Sequence, residues 1–132
     1  MTLIVRMPFP APELFPNRKN GEHWAKTHAL KLAHQSYGFY ATKAAGSFSA
    51  PDGDIPLSLL FLTPDGRKRD ADNMLAASKA LLDGMAAALG VDDSRFRPVL
   101  VDWCRGPGKK GELIAGIGVQ MTLAVEFGGV NA

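Results

Sequence analysis

Residues 55–94 read IPLSLLFLTPDGRKRDADNMLAASKALLDGMAAALGVDDS, and the switch of pattern inside this stretch decides the fold. Ile55 to Leu62 is a short, mostly apolar run after a turn-rich segment, which suits a strand buried on both faces. Thr63-Pro-Asp-Gly-Arg-Lys-Arg69 is a turn with a basic tail. From about Asp72 to Leu89 strong helix formers take over, and Gly90 is the residue that most readily closes a helix in the left-handed conformation.

Upstream, Gly46 to Asp54 is rich in Ser, Gly, Pro and Asp and reads as a surface loop. Before it, Glu22 to Ala45 favours helix, with Trp24, His28, Leu32, Gln35 and Phe39 spaced by threes and fours as one packed face. Asn17 to Gly21 is a polar, basic loop. Thr2 to Phe9 is a β-branched, aliphatic strand, and the prolines between Pro8 and Pro16 stop its ladder. Downstream, Arg97 to Cys104 and Val119 to Phe127 both alternate, and Gly106 to Gly111 is turn chemistry. The simplest pairing is an antiparallel hairpin with a basic tip. The order β-α-β-α-β-β makes residues 1–132 a single small α+β domain: a mixed sheet of about four strands with two main helices on one face.

The 132 residues suffice for one ordinary core, and 46% hydrophobic with 21% charged residues is a globular balance rather than a disordered one. No apolar run reaches the ~18 residues of a membrane span, and the first residues lack a signal-peptide layout, so a cytoplasmic protein without a membrane partner is expected. The lone Cys104 gives no internal disulfide and no cysteine-built zinc site. The net charge of +2 is unevenly spread. Five bases against one acid lie between Asn17 and Lys43, and six acids against three bases between Asp70 and Asp102.

The acidic stretch carries the chemistry. Asp70 and Asp72 are two apart, so in an extended segment their carboxylates share a face where the strand feeds the helix. At ~4 Å and an effective dielectric near 20 they would repel by about 4 kcal/mol, so a convergent pair needs a counterion, a basic partner or a shared proton. Such hard oxygen donors suit Mg²⁺, with Mn²⁺ as a substitute. On one straight helix, Lys79 lies two turns along on the Asp72 face, and Asp83 on the same stripe can hold its ammonium. Asp92 and Asp93 follow Gly90, and all these groups can cluster at one end of the sheet. Helix capping by Asp70, Asp72 and Asn73, a plain polar turn at Asp92–Asp93, and a solvated Lys79 explain the same residues without chemistry. His23, His28 and His34 do not share a helical face, and Trp24 and Trp103 are expected in the core. There is no phosphate-binding glycine loop, dinucleotide fingerprint or nucleophilic serine elbow, so no organic cofactor is expected.

Taken together, Pro16-Asn-Arg18, His23-Trp24, Arg67-Lys-Arg-Asp-Ala-Asp-Asn73, Lys79-Ala-Leu-Leu-Asp-Gly84 and Asp92-Asp-Ser94 resemble the RusA family of Holliday-junction resolvases, small bacterial and prophage endodeoxyribonucleases. The resemblance runs through most of the chain. It implies a homodimer that cuts four-way DNA junctions in recombination and repair. Asp70, Asp72 and Asp93 would bind the catalytic Mg²⁺, Asp92 being the alternative third ligand, and Lys79 would be the essential lysine. The distance from Asp70-Ala-Asp-Asn73 to that lysine varies between members of the family and is long here. Asn17, Arg18, Lys19, Lys26, Lys31, Arg67, Lys68, Arg69, Lys109 and Lys110 are the candidates for DNA contact, chiefly through phosphates. The competing readings are a catalytically silent binder of branched DNA and a metal nuclease for flaps or other branched substrates.

Overall fold

A computed structural model describes residues 2–16 and 24–121, the Trp24 side chain excepted. Asn17, Arg18, Lys19, Glu22, His23 and the strand expected beyond Met121 lie outside the described residues. The elements run β1 (Leu3–Pro8), α1 (Trp24–Ala45), β2 (Ile55–Thr63), α2 (Ala71–Ala77), α3 (Lys79–Leu89), β3 (Phe96–Arg105) and β4 (Glu112–Ile117), with single 3-10 turns at Pro12–Leu14 and Asp93–Arg95. They build a mixed four-stranded sheet in the order β1-β4-β2-β3.

The α+β class and the element order agree with the sequence pattern, but the Gly106–Gly111 turn does not join two paired strands, and most of Val119–Phe127, the partner expected for Arg97–Cys104, lies outside the described residues. β3 pairs parallel with β2, Phe96 opposite Ile55 and Arg105 opposite Thr63, whereas β4 inserts antiparallel between β2 and β1. The final described strand is also Glu112–Ile117 rather than a strand starting at Val119. The Gly106–Gly111 connection therefore crosses the end of β2 instead of reversing beside β3. It can do so because two glycines lie against the strand. A Cβ on Gly106 would stand 2.8 Å from the Leu62 Cβ, and one on Gly111 2.7 Å from the Leu62 carbonyl oxygen.

β2 is buried on both faces, as its apolar run requires. Leu57, Leu59 and Phe61 meet Leu3, Val5 and Met7 of β1, Leu113 and Ala115 of β4, and Met74, Leu81 and Met85 of the helices. Leu60 and Leu62 on the opposite face are covered by Ile114 and Met121. The chain reaches that second face by turning at Gly118 (φ 77°), and Ser58 fastens it there: the Ser58 Oγ accepts from the Met121 N–H at 2.6 Å. Each large side chain so buried contributes about 1.5–3 kcal/mol.

Two helical expectations are corrected. The run from Asp72 to Leu89 is two helices rather than one. Ser78 interrupts it, donating its hydroxyl to the Leu75 carbonyl at 2.7 Å, a local bond that competes with regular helix and bends it. A count of turns along one straight helix thus does not carry from Asp72 to Lys79. In α1, the inward residues are His34, Gly38 and Thr42, while Leu32 is half exposed and His28 and Gln35 are exposed. The reason is close approach: a Cβ on Gly38 would lie 2.0 Å from the Leu81 carbonyl oxygen and one on Gly84 2.1 Å from that of Gln35. Helices this near leave no room for the Leu32 and Phe39 face between them. Trp103, expected in the core, is 45% exposed on the edge strand β3.

Candidate functional site

β1 and β2 are both antiparallel to β4, and β3 is parallel to β2, so the carboxyl ends of β1, β2 and β3 lie at one edge of the sheet. Three segments leave from that edge: the proline-rich stretch after Pro8, the turn after Thr63 and the connection after Arg105. They enclose a groove of about 700 Å³ whose walls hold Arg67, Lys68, Arg69, Lys109 and Lys110 and whose apolar lining includes Phe9, Phe15 and Pro64. Five of the predicted DNA-contact residues, from two stretches some forty positions apart, are thereby brought together.

Asp65 organises one wall, and its role was not assigned from the sequence. Its carboxylate accepts from the Arg67 backbone N–H at 2.9 Å and from the guanidinium groups of Arg67 at 3.2 Å and Arg69 at 2.9 Å. Chiefly because of the Arg69 bond, and then the Arg67 amide, its pKa is lowered to about 2. The signal was present in the spacing, since an aspartate two and four residues before arginines in a turn can reach both. Arg69 is held from a second side as well, its guanidinium 5.5 Å from the Phe9 ring centroid and its side chain only 12% exposed. It is a brace within the wall, whereas Lys68, Lys109 and Lys110 are exposed on the rim.

The remaining described DNA candidates lie elsewhere. Lys26 on α1 stands 3.8 Å from Glu13, and Lys31 lines a separate cleft with Lys79 and Asp83.

Asp70 and Asp72 sit at the start of α2, immediately beyond the basic wall. Asp70 occupies the N-cap position, yet its side chain makes no capping bond. The Asn73 side-chain amide donates to it at 3.4 Å. Simple capping does not account for it. Asp72 is exposed in the first turn.

Asp92 and Asp93 divide their roles. Asp92 caps the Asp93–Arg95 turn, accepting from the Ser94 N–H at 3.1 Å and from its hydroxyl. Asp93 instead accepts from Lys79 Nζ at 2.9 Å, and Asp83 lies 3.5 Å from the same ammonium, the contact expected for i and i+4. The Asp93 bond holds the lysine pKa above its ordinary value. The same ammonium, and then Asp83, lower the carboxyl of Asp93, while burial raises that of Asp83. Two facing carboxylates that need a counterion do occur, but they are Asp83 and Asp93, and the counterion is Lys79.

Asp70 with Asn73 and Asp93 with Lys79 belong to separate hydrogen-bonded groups. Asp70 and Asp72 begin α2, and Asp93 lines a cleft with Leu75 and Ala76 of the same helix and with Lys79. Among the described residues no three of His, Cys, Asp and Glu are grouped so as to hold a metal ion. The donor chemistry of the aspartates suits Mg²⁺, but their arrangement here does not form a three-carboxylate cage. No helix of the described residues is long and apolar enough to cross a membrane.

No family model matches the chain. An uncharacterized protein of Xylella fastidiosa (strain Temecula1 / ATCC 700964) is 34% identical over 119 residues, which cover 86% of this chain and 76% of the relative. An identity of that size across most of both chains reaches well beyond any single motif, and the chain belongs to the same family as this Xylella fastidiosa protein.

Proposed function

We propose that this chain is a structure-selective endodeoxyribonuclease that acts as a homodimer on four-way DNA junctions in recombination and repair, in line with its RusA-family resemblance. The observation that carries the reading is the groove in which Arg67, Lys68, Lys109 and Lys110 stand over an aromatic lining and lead directly to Asp70. Exposed lysines and arginines on a groove neutralise phosphates and fix the path of a strand without reading its sequence. A four-way junction offers two strands related by a dyad, and an isologous dimer presents two equivalent grooves to them. Such DNA and the lone Cys104 both agree with a cytoplasmic setting.

The Mg²⁺ requirement rests on the resemblance and on the oxygen-donor chemistry of Asp70, Asp72 and Asp93. When bound, the ion would neutralise phosphate charge and activate water. What the chain's own residues do is separate from this. The basic rim holds the backbone, and Lys79 keeps Asp93 ionised. One observation favours a second reading, a catalytically silent binder of branched DNA: Asp93 is engaged by Lys79 and no three-acid set is assembled among the described residues.

The two readings separate on a panel of end-labelled DNAs that includes a four-way junction, a flap and a duplex. The nuclease reading expects paired nicks in the junction with Mg²⁺ or Mn²⁺, and loss of nicking in Asp72→Asn with the gel shift retained. Nicking by Asp72→Asn at the wild-type rate removes the proposed acidic site. A gel shift with no cleavage in either ion establishes the binder, and preference for the flap redirects the substrate assignment.

A further inference from the structure

The groove contains more than a phosphate site requires. Its basic side chains are at the rim, with Lys68, Lys109 and Lys110 exposed, whereas Phe9 and Phe15 are half-buried and lie deeper, packed against the hydrophobic core. The two rings stack at 6.0 Å between centroids with 23° between planes. Phe9 is locked in place, its ring against Phe61 at 6.2 Å on one side and the Arg69 guanidinium at 5.5 Å on another. Phe15 lines the groove beside it, and among the described residues it meets no ring other than Phe9.

We propose that this groove takes up an unpaired nucleotide: its base stacks on Phe15 while its flanking phosphates are held by Lys68, Lys109 and Lys110. The geometry distinguishes this from backbone binding alone. A paired duplex presents phosphates outward and keeps its bases enclosed, so it meets the lysine rim without reaching recessed rings. A base turned out of a strand meets both levels at once, cations outside and a flat apolar surface within. Aromatic platforms beside a cationic track are the means by which proteins hold single strands without sequence preference. The volume of about 700 Å³ lies within the range of cavities that enclose small organic groups. At the point of strand exchange in a branched DNA the run of stacked pairs is interrupted, so a base there is turned out at lower cost than one within an arm. The inference deepens the proposed function, on which it rests, by naming the feature of the substrate that the groove selects.

The test uses the full chain in buffer containing a chelator, so that no cleavage intervenes. Fluorescence anisotropy is measured with two labelled 12-nucleotide probes, one of thymidines and one with every base removed but all phosphates kept. The thymidine probe is expected to bind about tenfold more tightly, in keeping with stacking of one base. Phe15→Leu should bring the two probes together by weakening only the thymidine probe, and Phe15→Trp, which restores a platform, should keep them apart. Equal affinity of the wild-type chain for both probes overturns the inference whatever the variants do. So does an unchanged ratio in Phe15→Leu. The charge-reversal pair Lys109→Glu with Lys110→Glu separates the stacking claim from the groove itself. If it weakens both probes alike, the basic groove stands on its own and only the stacking claim is at stake. If it weakens neither, the groove is not a nucleic-acid site and the proposed function falls with it.

Discussion

The position that links the fold to the groove is Gly111, and replacing it with alanine tests the link. Gly111 has φ 73°, a conformation that costs an ordinary L-residue about 1–2 kcal/mol. The new Cβ would also stand 2.7 Å from the Leu62 carbonyl oxygen and 3.0 Å from both the Phe9 Cβ and the Pro64 Cδ. Leu62 cannot retreat, because β2 is hydrogen-bonded on both sides, to β3 and to β4. The connection must move outward by several tenths of an ångström, and overpacking of this kind costs about 1–3 kcal/mol. The stiffer unfolded chain offsets about 0.4–1 kcal/mol. The net loss is about 1–5 kcal/mol, and at the middle of that range a chain of this size should melt roughly 10 °C lower. Gly108, in the same connection, is the control: a Cβ there meets nothing within 4 Å, so Gly108→Ala should melt with the wild type. Circular dichroism melts of the two variants decide the matter. Measured well below its melting temperature, Gly111→Ala should also show a shallower salt dependence of single-strand binding, by about 0.7 in log–log slope for each phosphate that the displaced lysines no longer neutralise. An unchanged melting temperature for Gly111→Ala, or an equal drop for Gly108→Ala, would refute the crossing of β2 as the device that delivers the two lysines.

Two further perturbations probe the scaffold behind the groove. Gly84→Ala pits helix propensity, which favours alanine by about 0.8–1 kcal/mol, against a Cβ 2.1 Å from the Gln35 carbonyl oxygen and 2.8 Å from the Phe39 nitrogen. Backbone on both sides cannot yield, so the steric cost dominates; the urea midpoint should fall with an unchanged slope, and a raised midpoint would show that the helices are not so closely packed. His34 is buried, its Nε2 accepting from the Ala11 N–H at 3.1 Å and its Nδ1 facing the Leu30 carbonyl at 2.9 Å, and burial lowers its pKa below 6.5. The folded state therefore binds that proton less readily than the unfolded state, so the contribution is complete above pH 6.5 and is lost as the pH falls through the lowered value. Urea melts from pH 8 down to pH 5 should show this loss in the wild type and not in His34→Gln; parallel profiles would mean that the imidazole does not tie α1 to the proline-rich segment.

What the sequence made legible was everything governed by period and composition. The double burial of β2 was written in its unbroken apolar run, the α3 terminus in Gly90, and the Lys79–Asp83 contact in a spacing of four. What it hid was pairing and approach. The alternation of β3 identifies a strand without naming its neighbour, and the Gly106–Gly111 segment looks like a hairpin turn whether it reverses beside β3 or passes over β2. The inner face of α1 was misread because periodicity searches for large apolar residues, whereas an interface between helices in backbone contact selects Gly38 and Gly84. In the candidate site, the basic residues were legible as a class, but their assembly depended on that same unseen crossing. The aspartates were legible as hard donors, yet the sequence does not show that the fold pairs Asp93 with Lys79 and leaves Asp70 to Asn73.

The charge distribution gives the groove a directional meaning. Arg67, Lys68, Arg69, Lys109 and Lys110 against Asp65 amount to a local +4, while the whole chain carries +2, so the residues outside the groove sum to −2. The carboxyl edge of β1, β2 and β3 thus carries twice the net charge of the whole chain, and a polyanion approaching that edge is attracted to it. The field at that edge is made by connections rather than by the sheet, as in open sheets whose ligands lie beyond the carboxyl ends of parallel strands. Asp65 does not cancel this field so much as aim it. It holds Arg69 within the wall and orients Arg67, which stays exposed with the lysines as a group that meets the ligand first. The same geometry explains why an aromatic stack persists beside so many cations: Arg69, the cation against Phe9, is paired with Asp65 and at the same time lies over the ring.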